Sequence, residues 1–391
     1  MINKPLNKNF KKAFSLIELS VVVLIIGILI AGITQSSRLV RAMKLNTARS
    51  LTRSSDVNSI RNLTAWFDVT AEGVFSSSCA TTSTNTDLTS TSRAFNTNTS
   101  TGNPSITTPS SAYIMPEHRQ VVRLWKDSNP QDVDADKVIL EYAQGANCAT
   151  KNYSVTGTIG DDRGPMYHNS GLAGLPSIYF DGAATSWFSS INPVTMPLAA
   201  GKKDFSFFTV YRTDPDYVST VNRNIMQFSK IGTGATYDIG PAIYIGGGAS
   251  GCDTKSKFSW EHSVNNCSMG VAYPTNASYN TKPSTDYVFG VTVDSSSTNA
   301  PTSSNINIYQ NSSLNTPITV GNSTAFDVSS DITKLAYSQL NIGGGYNGDG
   351  NTSGRYKGFI SEVLIFDRKI NNEEASSVMT YLVKKYNIKS L

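Results

Sequence analysis

Residues 11 to 32, KKAFSLIELSVVVLIIGILIAG, constrain this chain more than any other stretch. The run from Phe14 to Ile33 is dominated by Leu, Ile and Val. At 1.5 Å per residue, about 20 helical residues just cross a hydrocarbon core of about 30 Å. Yet Glu18 lies inside the run. A charge at the centre of a bilayer helix costs about 2.5–3.5 kcal/mol on insertion scales, so its presence needs an account.

Three readings compete. A removable secretory signal has a basic start, an apolar core and a small-x-small cleavage site. Here Leu29 and Ala31 would flank that cut, and Leu is a poor residue there. A plain membrane anchor explains the length but not Glu18. The third reading comes from the order of features: basic residues, a small residue, then FSLIELSVVVLIIGILIAGI. This resembles the N-terminus of a type IV prepilin or pseudopilin over roughly residues 8 to 40.

The resemblance implies that a prepilin peptidase cuts between Ala13 and Phe14 on the cytoplasmic side and methylates Phe14. Ala13 stands where the family places Gly. Glu18 matches the glutamate at the family's fifth mature position, which pairs in a filament with the α-amine of a neighbouring subunit. Such a pair in a dry helical core is far stronger than in water, and it sets axial register. Its place near the end of the apolar run also lowers the cost of insertion, because interfacial polar groups lie close by. The implied partners are the inner membrane, the prepilin peptidase and other pilin subunits.

The segment continues, without Pro or Gly, from Gln35 to about Asn62. Leu39, Val40, Met43, Leu51 and Ile60 loosely follow helical spacing, so the polar half is expected to pack one stripe on the body. Charge does not settle orientation: Lys4, Lys8, Lys11 and Lys12 precede the run, and Arg38, Arg41, Lys44, Arg49 and Arg53 follow it. The formal charge of +4 comes from those four leading lysines; without them 29 basic residues balance 29 acidic ones. Nucleic-acid binding thereby loses its main support.

Cys79, Cys148, Cys252 and Cys267 form no CxxC pair and have no histidine at metal-ligand spacing. An even count beside a targeting segment reads as two disulfides in an oxidising compartment, and together with the prepilin resemblance it implies a single-pass inner-membrane protein with a periplasmic or surface-exposed body. Of the three pairings, Cys79–Cys148 with Cys252–Cys267 is preferred, because the second closes a short loop and the first ties down an insertion. That insertion, about residues 76 to 112, is rich in Ser, Thr and Asn and reads as a solvated loop.

From residue 63 onward short β-type runs alternate with Gly, Asn, Asp and Ser clusters. LTAWFDV, SIYFDG, DFSFFTVYRT, AIYIGG, DYVFGVTVDS, NINIYQN, QLNIGGG and YKGFISEVLIFDR have strand length and patterning. One clear helix follows, NEEASSVMTYLVKKY, read as capped by Asn372, with Val378, Tyr381 and Leu382 toward the sheet. The expected fold is α+β but mainly β. It comprises a leader (1–13), a long transmembrane and assembly helix (14–62) and an antiparallel sandwich with a C-terminal helix (63–391).

AWFD, LWKDSN, GLAGLPSIYFDG, DFSFFTVYR, INIYQNSS and the closing YKGFISEVLIFDRKINNEEASSVMTYLVKKYNI together resemble the laminin-G-like, concanavalin A-like jelly roll. Members of that fold often bind carbohydrate or protein partners. Glycosidases on it carry paired glutamates on one strand, whereas FISEVLIF offers only Glu362 with no evident second carboxylate. His118, His168 and His262 are isolated, and no nucleophile elbow occurs, so no enzyme is expected. Two G-x-G-x-x-G strings, at Gly246 to Gly251 and Gly343 to Gly348, open no helix and read as tight turns.

Calcium is the one cofactor with any footing. Asp132, Asp134 and Asp136 begin a loop of alternate oxygens, but Lys137 takes the place of the turn glycine. Asp349 and Asn351 lead to Gly354, but Ile360 stands where a glutamate would close the site. For a glycan or surface-protein ligand, Tyr346 is the candidate contact, while Trp187 and Trp260 read as core. The sequence thus points to a pilin-like subunit, minor pilin or pseudopilin, with an adhesive or recognition head. Its rival is an anchored binding module outside any filament.

Overall fold

A computed structural model describes residues 16–76, 121–142, 164–182, 186–190, 196–198, 202, 204–215, 223–231, 237–246, 256–259, 271–274, 280–294, 306–311, 320–322, 339–345 and 354–389, apart from 123, 134 and 135. The chain opens with helix α1 (Leu16–Arg53) and a 3-10 turn at Asp56–Ser59. The helix therefore stops at Arg53 rather than running to Asn62. Asn58 caps its end: Nδ2 lies within 3.2 Å of the carbonyls of Thr52, Arg53 and Ser55, at the end of the helix where carbonyls lose their intrahelical donors. Ser55 then caps the 3-10 turn by accepting from the Val57 N–H.

The body contains β1 (Leu63–Asp68), β2 (Phe75–Ser76), β3 (Leu124–Lys126), β4 (Ile139–Tyr142), β5 (Met166–His168) and β6 (Ser177–Asp181). Next come β7 (Phe188–Ser190), β8 (Asp204–Thr213), β9 (Arg223–Ile231), β10 (Tyr237–Ile245), β11 (Ser256–Ser259) and β12 (Val271–Pro274). Strands β13 (Asp286–Asp294), β14 (Ile306–Gln310), β15 (Val320–Asn322), β16 (Gln339–Ile342) and β17 (Lys357–Phe366) precede helix α2 (Asn372–Lys385). All eight runs read from the sequence as strands are strands.

Two antiparallel sheets result. One has the order β14-β13-β8-β17-β6-β5, and β1 pairs with β17 beside it. The other runs β15-β12-β11-β10-β9-β16-β7-β4-β3-β2. Phe205, Phe207 and Tyr211 of β8 pack in one core with Phe228 of β9, Ile243 of β10 and Leu340 of β16, so the sheets lie face to face. Phe207 and Phe228 meet across the interface with ring centroids 5.5 Å apart.

The first sheet is buried on its outer face as well. Phe208 and Val210 of β8, Val288 of β13 and Leu364 and Phe366 of β17 pack against α2 and the 3-10 turn. Val378, Tyr381 and Leu382 do face this sheet, as their spacing suggests. Burial on both faces explains why FISEVLIF reads as a nearly continuous apolar run. The cap of α2 is Asn371, one residue before the expected Asn372. Asn371 Oδ1 accepts from Glu374 N, and Glu374 Oε2 accepts from Asn371 N, both at 2.9 Å, forming a capping box. Asn372 instead accepts from the Tyr309 hydroxyl.

Candidate functional site: the apolar helix and its anchorage

Helix α1 has 38 residues and is about 57 Å long at 1.5 Å per residue. Its first half shows a continuous apolar surface, with Leu16, Ile17, Leu19, Leu24, Ile28 and Ile33 all exposed. A patch of that size marks a membrane or protein contact, and each such side chain is worth roughly 1.5–3 kcal/mol when buried. By length and composition the helix can cross a membrane. Glu18 sits in its first turn, where a carboxylate also complements the helix dipole.

Leu39, Val40 and Met43, expected to help form the stripe against the body, are exposed too. The contact begins only with the last turns. Ala48 is buried, Lys44 Nζ reaches the Ala173 carbonyl at 3.5 Å, and Arg49 Nε donates to Thr70 O at 2.8 Å. Arg49 also pairs with Glu72 at 2.5 Å. Most of α1 is thus a stalk rather than a packed helix.

The stalk is seated by a buried polar network on the outer face of the first sheet. Thr52 of α1, Trp66 and Asp68 of β1, Glu362 of β17 and Tyr381 and Lys385 of α2 meet there, with Tyr386 just beyond α2. Lys385 Nζ lies 2.8 Å from Asp68 Oδ2, 2.8 Å from Glu362 Oε2 and 2.9 Å from Thr52 Oγ1. Glu362 accepts four hydrogen bonds, from Trp66 Nε1 (2.6 Å), Tyr381 (2.7 Å), Lys385 (2.8 Å) and Tyr386 (2.9 Å). Burial pushes its carboxyl up, Lys385 opposes that shift and Asp68 adds to it. Burial, with Glu362 and Asp68 nearby, also holds both tyrosine hydroxyls well above their usual range, so they remain donors.

The sequence reading found no second carboxylate for Glu362, and the structure corrects it: Asp68 is its direct cross-strand partner. A register shift in β17 between Ile360 and Glu362 makes this meeting happen. Ile360 faces the sandwich core, yet Leu364 and Phe366 face α2, so the strand changes phase there and Glu362 turns outward with them. The pair is sealed, and all four acceptor positions of Glu362 are taken, so no substrate oxygen has access to it.

A second clamp lies beside it. Asp127 Oδ1 accepts from the backbone N–H of Trp66 and of Asn129, both at 2.7 Å. Asn129 Nδ2 donates to Leu63 O and to Asp132 Oδ2, and Gln131 Nε2 donates to Asn58 O and Ile60 O. This loop fixes residues 58–63, the link between stalk and sheet. Asp127 is 1% exposed and its Oδ2 has no hydrogen-bond partner. Burial pushes its carboxyl up to about 7, against the opposing effect of the two backbone hydrogen bonds.

Residues 8–34 match the prokaryotic N-terminal methylation motif. The N-terminus is type IV prepilin-like, and the matched stretch includes Ala13, Phe14 and Glu18. No curated protein matches the chain. Among solved structures, Trypanosoma rangeli sialidase in complex with the inhibitor DANA is 9% identical, over 68% of this chain and 31% of that one, with a TM-score of 0.34. The Ruminococcus gnavus IT-sialidase CBM40 bound to alpha2,3 sialyllactose is 12% identical, over 45% of this chain and 82% of that one, with a TM-score of 0.30. This chain therefore spans under a third of the sialidase, and no activity follows from either likeness.

Of the residues singled out in the sequence, Ala13, Phe14, Cys79, Cys148, Cys252, Cys267, Asp134, Trp260, Tyr346, Asp349 and Asn351 lie outside the described residues. Trp187 is buried. Asp132 accepts from Asn129, and burial raises its carboxyl against that hydrogen bond. Among the described residues no three His, Cys, Asp or Glu side chains gather as metal ligands, Asp132 and Asp136 included. Gly343 follows strand β16 with φ +83°, and residues 346–353 after it lie outside the described residues.

Proposed function

We propose that this protein is a pilin-like filament subunit, a minor pilin or pseudopilin of a type IV pilus or a type II secretion filament. Its sandwich body is carried as an adhesive or recognition head. The observation that carries this reading is the methylation motif at residues 8–34, continuous with a stalk helix that is apolar and exposed at one end. At the other end the stalk is locked to the body through buried polar contacts. Before assembly the helix sits in the inner membrane with the body outside the cytoplasm. After cleavage between Ala13 and Phe14, Glu18 pairs with a neighbouring N-terminal amine and the apolar surface is buried among other subunits.

The body is large for the repeating subunit of a filament, which favours a minor or tip position. The head binds rather than acts on a substrate: Glu362, the carboxylate on the strand FISEVLIF, is sealed from any ligand. Its finer assignment to the laminin-G-like jelly roll, and a glycan or surface protein as ligand, belong to this proposal.

The intact mass of the protein from bacterial membranes, together with Glu18→Ala, tests it. A chain beginning at methylated Phe14, and loss of filament incorporation in Glu18→Ala with the body still folded, are expected. An uncut chain would favour the anchored binding module, with Ala13 as the reason. A glycan array with and without calcium tests the head, and silence throughout would count against a lectin role.

A further inference from the structure

Lys385 faces two carboxylates, although a lysine needs only one to balance its charge. All three side chains are at most 1% exposed. Removing ions from water is costly, and a second carboxylate in a dry site adds cost without a matching cation. One amine in contact with two carboxyl groups in a dry pocket is the layout amide formation needs, one carboxyl to be joined and the other to carry protons. We propose that Lys385 and Asp68 become joined by an amide bond between Nζ and Cγ, with Glu362 carrying the proton.

The atoms balance without any added reagent. One proton passes from the Lys385 ammonium to Asp68 Oδ2, across the 2.8 Å contact, leaving a neutral amine and a neutral acid. The Nζ lone pair attacks Cγ, and Glu362 Oε2, 2.8 Å from Nζ, takes the second proton. Glu362 returns that proton to the Oδ2 hydroxyl, which departs as water, and the C–N bond replaces the C–O bond. Glu362 is regenerated. The ammonium's three protons end as two in water and one on the amide.

Each requirement has a residue in place. Negative charge developing on Asp68 Oδ1 meets the Thr70 N–H and the Thr70 hydroxyl, both at 2.8 Å, which act as an oxyanion hole. Glu362 is held in position by Trp66, Tyr381 and Tyr386, and the Trp66 and Tyr381 rings meet edge to face at 5.6 Å. Burial raises the Glu362 carboxyl, which makes its carboxylate a stronger base for the proton it takes. Holding amine and acid in contact supplies the proximity that reaches effective concentrations of about 10⁵ M and above.

The bond would have a mechanical effect. Tension on α1 passes through residues 54–62 into β1, whose ladder is with β17. An amide from Asp68 to Lys385 ties β1 directly to α2, so β1 could not peel away.

Peptide mass mapping of the full-length protein from bacterial membranes tests this. The expected product is the Asp68 peptide joined to the Lys385 peptide, one water lighter than their sum, with no tryptic cut after Lys385. Separate peptides with an intact Asp68 and cleavage after Lys385 would overturn the proposal, and so would a link on Glu362. In Glu362→Gln, which keeps the side chain's size, the peptides should stay separate. Linkage to the wild-type extent in that variant would remove Glu362 from the step.

Discussion

Asp127→Asn should make the stability of this body less dependent on pH. Asp127 is 1% exposed, Oδ1 takes two backbone N–H bonds, and Oδ2 has no partner. Burial lifts its carboxyl from 3.8 to about 7. The folded state therefore holds a proton that the unfolded chain releases, so stability falls as pH rises through the interval between those two values. At 1.36 kcal/mol per pK unit the whole interval is worth about 4 kcal/mol, of which roughly 2–3 kcal/mol is lost between about pH 5 and pH 8. Asn keeps the Oδ1 acceptor for Trp66 and Asn129 and cannot ionise. Guanidinium unfolding of the detergent-solubilised chain, followed by tryptophan fluorescence, measures both proteins at the two pH values. The groups that bear on Asp127 are Asp132, which raises it further, and Lys137, which opposes the shift. Both remain in the variant, so the wild-type-minus-variant difference isolates Asp127. A difference that stays constant within about 0.5 kcal/mol from pH 5 to pH 8 would refute the reasoning.

Gly343→Ala should destabilise the body by about 2–4 kcal/mol in the same assay. Its φ is +83° and a Cβ there would stand 2.1 Å from the Phe180 ring, so strain and overpacking add. Asn371→Ala should cost about 1 kcal/mol through loss of the capping box, and Asn371→Ser should recover most of it. Arg49→Ala removes the bond to Thr70 O and the pair with exposed Glu72. A loss of about 1 kcal/mol is expected, together with faster amide hydrogen exchange in the last turns of α1.

The apolar helix and the eight strands were legible because their signals are local: a 20-residue run of one polarity, or an alternation with a period of two. Strand β9 was not. Asn224, Gln227 and Ser229 break its apolar pattern, although all three are buried and Ser229 accepts from Asn341 of β16. Burial of those polar groups depends on a neighbouring strand, and no window of sequence contains both. The stalk stripe was misplaced for a related reason. Leu39, Val40 and Met43 carry the right spacing, but the body reaches the helix only near Ala48 and Thr52. Spacing shows that a helix has an apolar face and is silent on what meets it.

The buried network shows where the division falls. Glu362, Tyr381, Lys385 and Tyr386 lie in adjoining segments, and α2, with the orientation of Tyr381, follows from its own spacing and charges. Asp68 lies nearly the whole body away in the chain, and only the antiparallel register of β1 on β17 sets it opposite Glu362. The sequence by itself determined a membrane-length helix with one carboxylate at its start and the inward residues of the main strands, because steric and hydrophobic periodicity act over a few residues. Tertiary structure alone decided that two carboxylates share one lysine. That meeting depends on pairing register and on a phase shift at Ser361, both set by contacts between strands remote in the chain.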